Sequence, residues 1–176
     1  MQSFFKFIIV ILIILMGSAN AEKMVSSNIE NSSSGNKWNF YAGMFDFSDD
    51  GKKSNLFGIQ HINENLYRES FLGTLQPVTG VMITADNAGY VYTGFQIQSQ
   101  SEGPLKFTPS FTPGLYSEGD GKDLGHVIEF KTELQISFEL SSNSELGFSY
   151  NHISNASLGD KNPGANSYMF NFIKKF

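Results

Sequence analysis

The chain has 176 residues and a formal net charge of −5 at pH 7, a length typical of a single domain. It contains no cysteine, which excludes a disulfide framework, a thiol nucleophile and a lipid anchor on an N-terminal cysteine. Because the charge is negative and the sequence has no basic run, we do not expect nucleic acid as a partner.

The first residues predict a secretory signal peptide. Lys6 supplies a positive charge, residues 7–16 form an uninterrupted apolar run, and small residues lead up to Ala21, near which we expect cleavage. The apolar run is shorter than the ~20 residues that a spanning helix needs, so an uncleaved anchor is the less favoured alternative. The stretch that follows is rich in Ser, Asn and Glu and has no apolar period, which is typical of a flexible segment. The sequence thus divides into a signal peptide, a flexible N-terminal segment and a β-barrel domain, over residues 1–21, 22–37 and 38–176.

From residue 38 onward, segments of period-2 alternation are separated by turn-forming clusters, which predicts β-strands. The clearest is residues 126–140, where apolar side chains alternate with polar ones that include Glu129, Lys131, Glu133 and Glu139. No segment keeps the 3.6-residue apolar stripe of an amphipathic helix. The predicted strands number about eight and cover residues 38–47, 54–62, 70–84, 90–98, 105–116, 126–140, 144–154 and 167–176.

Long strands with one apolar and one polar face fit two architectures: a soluble barrel that binds lipid inside, and an outer-membrane barrel with a polar interior. The last segment favours the second, because Phe176 is preceded at alternate positions by Phe172, Phe170 and Tyr168, with Lys174 as an exception. We therefore predict an all-β fold, an eight-stranded antiparallel outer-membrane β-barrel, with a soluble periplasmic barrel as the alternative. Its acidic and basic strand residues would form a paired polar core in the lumen, since about eight strands leave an interior filled by side chains.

An even number of strands places both termini on the periplasmic side, so the strand at residues 144–154 ends at the outer surface and residues 155–166 form an extracellular loop. His152 and Ser154 share the lipid-facing parity of Tyr150 on that strand. A histidine two residues from a serine can activate the hydroxyl as a nucleophile. The spacing alone is a weak signal, because polar residues near a strand end are more often merely interfacial.

The segment His152-Ile153-Ser154-Asn155-Ala156, followed by Asn162-Pro163-Gly164 and a last strand ending in Phe176, resembles the lipid A 3-O-deacylase family, also called acyloxyacyl hydrolases. The resemblance implies a serine esterase that removes the ester-linked acyl chain at position 3 of lipid A, the membrane part of lipopolysaccharide in the outer leaflet. Ser154 would be the nucleophile and His152 the base, with Asn155 and Asn162 as candidates for holding the oxyanion. It implies no metal and no cofactor, and a homodimer is one candidate assembly.

One position departs from the family pattern. The third catalytic residue of the best-known family member is a glutamate, and counting from the His-x-Ser motif places Asn166 there. An amide oxygen can orient a neutral imidazole but cannot stabilise the imidazolium through a full charge. Asp160 is the nearest alternative acid. Asn166 also keeps open a second reading, that of a non-catalytic structural outer-membrane barrel.

Overall fold

The computed structural model describes residues 36–49, 52–99 and 103–176. The predicted signal peptide and nearly all of the predicted flexible segment lie outside these residues. Within the described ranges, no helix is long and apolar enough to cross a membrane. All the regular structure found there consists of β-strands.

The strands pair antiparallel with their neighbours, and the first and last strands pair with each other, from Lys37 with Lys175 to Met44 with Tyr168, which closes the sheet. A short strand with residues Arg68–Ser70 pairs only with the start of the strand that follows it, so eight strands form the wall and the prediction of an eight-stranded antiparallel barrel is confirmed. The strands of the described residues are β1 Asn36–Phe45, β2 Ser54–Asn63, β3 Arg68–Ser70, β4 Gly73–Thr84, β5 Gly89–Gln98, β6 Leu105–Ser117, β7 Ile128–Ser141, β8 Ser144–Ser154 and β9 Ala165–Lys175.

Three strand boundaries differ from the predicted ones. β1 begins at Asn36 rather than at residue 38, because Lys37 is anchored by an ion pair with Glu64 at 2.9 Å. The predicted strand 70–84 is interrupted by the turn between β3 and β4. β7 begins at Ile128 rather than at His126, whose ring nitrogen Nδ1 accepts the backbone N–H of Ile128 at 3.0 Å.

The lumen of the barrel is filled with polar side chains. Lys131 is buried and donates to Glu133 at 2.9 Å, as the predicted paired core requires. Glu129 departs from that prediction, because it is fully buried and neither carboxylate oxygen has a hydrogen-bond partner among the described residues. Lower in the lumen, the amide of Asn39 donates to Gln135 at 3.2 Å and to Asn171 at 2.9 Å.

The outer surface of the barrel is apolar. Its exposed side chains include Leu134, Ile136 and Phe138 on β7, and Phe170 on β9, which is 66% exposed. A polar interior with an apolar exterior is the arrangement of a barrel in lipid and the reverse of a soluble lipid-binding barrel. The soluble alternative is therefore set aside.

Four connections lie at the end of the barrel opposite the termini, over residues 46–53, 85–88, 118–127 and 155–164; we call this the loop end. The predicted placement of the connection after β8, at the end of the barrel opposite the termini, is observed. Beneath these connections the lumen changes from polar to apolar. The buried cluster there includes Phe45, Leu56, Tyr116, Leu124 and Ile153.

Candidate active site

The outward face of β8 carries His152 and Ser154 at the loop end. Tyr150, two residues earlier on the same face, is 45% exposed, whereas His152 is half-buried and Ser154 is buried at 6% exposure. Ser154 lies opposite Phe130 of β7 in the strand register. The alternation along β8 therefore gives the imidazole and the hydroxyl the parity of the lipid-facing residues, as the sequence predicts.

The imidazole has a fixed partner on the neighbouring strand. The register of β8 and β9 pairs His152 directly with Asn166, and Nδ1 of His152 lies 2.8 Å from Oδ1 of Asn166. An amide oxygen can only accept, so the proton of the neutral imidazole sits on Nδ1 and Nε2 keeps its lone pair. His152 is thus held in the tautomer that a general base requires.

Asn166 is held from three sides. The hydroxyl of Tyr150 donates to the same Oδ1 at 2.8 Å, and Nδ2 of Asn166 donates to Oγ of Ser48 at 3.1 Å. The backbone N–H of Asn166 donates to Oδ1 of Asp46 at 3.3 Å. Two loops and two strands therefore converge on this one amide.

Asp46 links the site to the rest of the loop end. Its carboxylate is 1% exposed and forms an ion pair with Lys122, which reaches across from the connection between β6 and β7. The carbonyl of Lys122 accepts the hydroxyl of Tyr116 at 2.7 Å, which fixes the chain that carries the cation. The pair is mostly buried, so removal of either partner would leave an uncompensated charge.

The turn after Ser154 is anchored by Asn155, whose side chain is fully buried. Its Nδ2 donates to the carbonyls of Leu124 at 2.8 Å and Lys161 at 2.9 Å, and its backbone N–H donates to Oδ1 of Asn162 at 3.1 Å. All three N–H groups are therefore engaged, which leaves Asn155 none to offer an oxyanion. Asn162 is exposed, and its Nδ2 has no hydrogen-bond partner among the described residues.

Gly164 packs against the other edge of the imidazole. It has a φ of +64°, and a Cβ added at this position would lie 2.8 Å from Cε1 and 3.3 Å from Nε2 of His152. A side chain here would thus occupy the space in front of the nitrogen that must accept a proton. Glycine keeps this space open.

Ser154 and His152 do not form a direct hydrogen bond in the part of the chain that the structure describes. Asp160, the alternative acid, is exposed, and the imidazole partner is Asn166 instead. Nowhere in residues 36–49, 52–99 or 103–176 do three or more His, Cys, Asp or Glu side chains cluster closely enough to hold a metal ion.

A solvent-exposed ion pair joins two connections beside the site. Nζ of Lys161 lies 2.5 Å from Oδ2 of Asp123. The hydrogen bond from Lys161, followed by one from the backbone N–H of Gly125, lowers the pKa of Asp123 below its ordinary value. The connection that carries Asn162 is thereby tied to the neighbouring one.

Sequence analysis missed Tyr150, Ser48 and Gly164 as contacts of the site. Tyr150 gave a usable signal, since it shares the outward face of β8 two residues before His152. Gly164 was seen only as part of a turn. Ser48 gave no signal, because its contact depends on how the loop after β1 folds over β9.

A model of the family described as lipid A 3-O-deacylase (PagL) matches residues 34–174 of the chain. Among solved structures, the crystal structure of the outer membrane enzyme PagL has a TM-score of 0.59 at 15% identity, covering 78% of this chain and 98% of that chain. A barrel from the de novo design of transmembrane β-barrels has a TM-score of 0.54 at 11% identity, covering 84% of this chain and all of that one. No curated protein matches the chain. At these identities, the two structural likenesses concern the fold alone.

Proposed function

The chain belongs to the lipid A 3-O-deacylase family, and on that premise we propose that it is a serine esterase of the outer membrane. Its substrate would be lipid A of lipopolysaccharide, from which it removes the acyl chain esterified at position 3. The observation that carries the proposal is the 2.8 Å contact between Nδ1 of His152 and Oδ1 of Asn166, on the outward face beside Ser154.

The reaction begins with proton transfer from the Ser154 hydroxyl to Nε2 of His152 as Oγ attacks the ester carbonyl carbon. The tetrahedral intermediate collapses, the bond to the sugar oxygen breaks, and His152 returns the proton to that oxygen. Water then attacks the acyl-enzyme with the same base, which releases the fatty acid and restores Ser154. We expect the hydroxyl to turn toward Nε2 when substrate binds, since catalytic hydrogen bonds tighten in the Michaelis complex.

The negative charge on the carbonyl oxygen needs a donor. We assign this role to Nδ2 of Asn162, which is exposed and has its Oδ1 fixed by the backbone N–H of Asn155. Asn155 then acts through the turn, because its own donors are used within the protein. An oriented donor of this kind typically contributes about 100- to 1000-fold to the rate.

The apolar surface beside the nucleophile suits an acyl chain. Phe130 lies opposite Ser154, and its ring stacks on that of Phe111 at a centroid distance of 6.0 Å. A lipid in the outer leaflet could place its ester at the loop end and its chain along this surface without leaving the membrane. The barrel would therefore take its substrate laterally from the bilayer.

Delivery to the outer membrane would follow cleavage of the predicted signal peptide near Ala21, and mass determination of the mature chain tests that site. The homodimer considered from the sequence is likewise a proposal. Chemical crosslinking of the protein in intact outer membranes tests it.

The decisive test is incubation of the purified, refolded barrel with lipopolysaccharide, followed by mass spectrometry of the lipid A. We expect loss of one 3-hydroxy fatty acid with the wild type and none with Ser154→Ala or His152→Ala. Ser157→Ala is the matched control, because Ser157 is exposed in the next turn and its backbone contact to Asn155 is retained. If no fatty acid is released by the folded wild type, the structural-barrel alternative stands in place of the esterase.

A further inference from the structure

The side-chain amide of Asn166 has two chemically different ends, and only one orientation supports the proposed catalysis. With Oδ1 toward the imidazole, Nδ1 of His152 carries the proton and Nε2 is a base. If the amide were flipped, Nδ2 would donate to Nδ1, the proton would move to Nε2, and the imidazole could not accept the Ser154 proton. A carboxylate has no such choice, because its two oxygens are equivalent.

The surroundings of the amide favour one orientation. The Tyr150 phenol lies 2.8 Å from Oδ1 and the Ser48 hydroxyl lies 3.1 Å from Nδ2. A phenol is a stronger donor and a weaker acceptor than an aliphatic hydroxyl, because its lone pair is delocalised into the ring. The phenol is therefore best placed against the amide oxygen, and the serine hydroxyl against the amide nitrogen.

The register of the strands explains why one oxygen can serve both groups. Asn166 pairs with His152 across β8 and β9, and Tyr150 precedes His152 by one step on the same face. The imidazole and the phenol therefore approach Oδ1 from the same strand. Tyr150 is 45% exposed, so its hydrogen bond is not a requirement of core packing.

We propose that Tyr150 is a positioning residue that holds the Asn166 amide with its oxygen toward His152 and thereby fixes the catalytic tautomer. This inference rests on the proposed esterase function. The task exists because the chain carries an asparagine where the family resemblance implies a glutamate. Tyr150 would accordingly matter with an amide at position 166 and be dispensable with a carboxylate there.

The test compares Tyr150→Phe in two backgrounds, the native chain and Asn166→Asp, which has nearly the same shape but two equivalent oxygens. In the native background we expect kcat to fall roughly 10-fold with little change in KM, the effect of losing one hydrogen bond. In the Asn166→Asp background we expect less than about a twofold change. Equal losses in the two backgrounds, or no loss in the native one, would overturn the proposal.

Tyr168→Phe is the matched control, because the Tyr168 hydroxyl contacts only the sulfur of Met44, at 3.9 Å. This variant should keep native kcat in both backgrounds. Heat-dependent mobility on gels verifies that each barrel is folded before its rate is compared.

A second measurement does not require turnover. Nitrogen-15 NMR of the histidine rings reports which ring nitrogen carries the proton, and the chain has only three histidines to assign. We expect Nδ1–H for His152 in the native chain and a mixture of tautomers in Tyr150→Phe. An unchanged tautomer in that variant would refute the positioning role. Absent fatty acid release from the folded wild type would instead refute the esterase itself.

Discussion

Gly164 lies against the Cε1–Nε2 edge of the His152 imidazole, on the side opposite Asn166. Gly164→Ala would place a methyl group 2.8 Å from Cε1 at a φ of +64°, so either the ring or the loop must shift. We expect kcat to fall by about 10- to 100-fold, since small misplacements of a base are costly. The folded state should lose about 1 kcal/mol, because an L-residue is strained at this φ.

The rate of fatty acid release and the unfolding midpoint in denaturant measure these two effects. Gly89→Ala serves as the control, since a Cβ at Gly89 would meet nothing within 4 Å. That variant should match the native chain in both measurements. Native activity in Gly164→Ala would show that the imidazole has more room than its contacts indicate.

The fold could be predicted because a barrel in lipid imposes one rule on every strand. Each strand must alternate, so the apolar faces on β7 and β8 identify the outward side without any knowledge of the neighbours. The pairing of His152 with Asn166 also follows once β8 and β9 are aligned as a hairpin. The interruption between β3 and β4 was missed, because both segments satisfy the same alternation.

The support of the site could not be predicted from the sequence. Asp46 reaches Asn166 and Lys122 from distant parts of the chain, and no periodicity records how loops fold over one another. Asn155 was assigned to the oxyanion because its residue type suits that chemistry. The structure shows that its donors are spent on the carbonyls of Leu124 and Lys161, a fact that depends on loop packing.

The two asparagines that flank the nucleophile's turn should respond differently to truncation. Asn162→Ala removes the free Nδ2, so we expect kcat to fall about 100-fold with the unfolding midpoint nearly unchanged. Asn155→Ala leaves two buried carbonyls without their donor, so stability should fall by about 1–3 kcal/mol. Steady-state kinetics and urea unfolding on the same samples separate the two. If Asn162→Ala keeps its rate, another donor holds the oxyanion.

The ion pair between Lys122 and Asp46 should stabilise the loop end. Lys122→Met keeps the apolar stem but leaves a carboxylate that is 1% exposed without its cation. We expect the free energy of unfolding to fall by about 3 kcal/mol, the usual cost of breaking a buried pair on one side. Adding Asp46→Asn should recover most of the loss, since its Oδ1 can still accept from Asn166. A double variant no more stable than Lys122→Met would contradict this explanation.

Glu129 should cost the protein stability rather than supply it. Its carboxylate is fully buried in the lumen and makes no hydrogen bond within the described residues, while the nearby Tyr90 hydroxyl donates to its backbone carbonyl at 3.0 Å. Glu129→Met keeps the length of the side chain and removes the unpaired polar group, so the free energy of unfolding should rise by about 1–3 kcal/mol. Glu145→Met is the matched control with the opposite sign, because Glu145 accepts from Lys106 at 2.9 Å and Lys37 at 3.4 Å. Urea unfolding in lipid vesicles measures both variants. A lower midpoint for Glu129→Met would mean that the carboxylate is satisfied in the lumen after all.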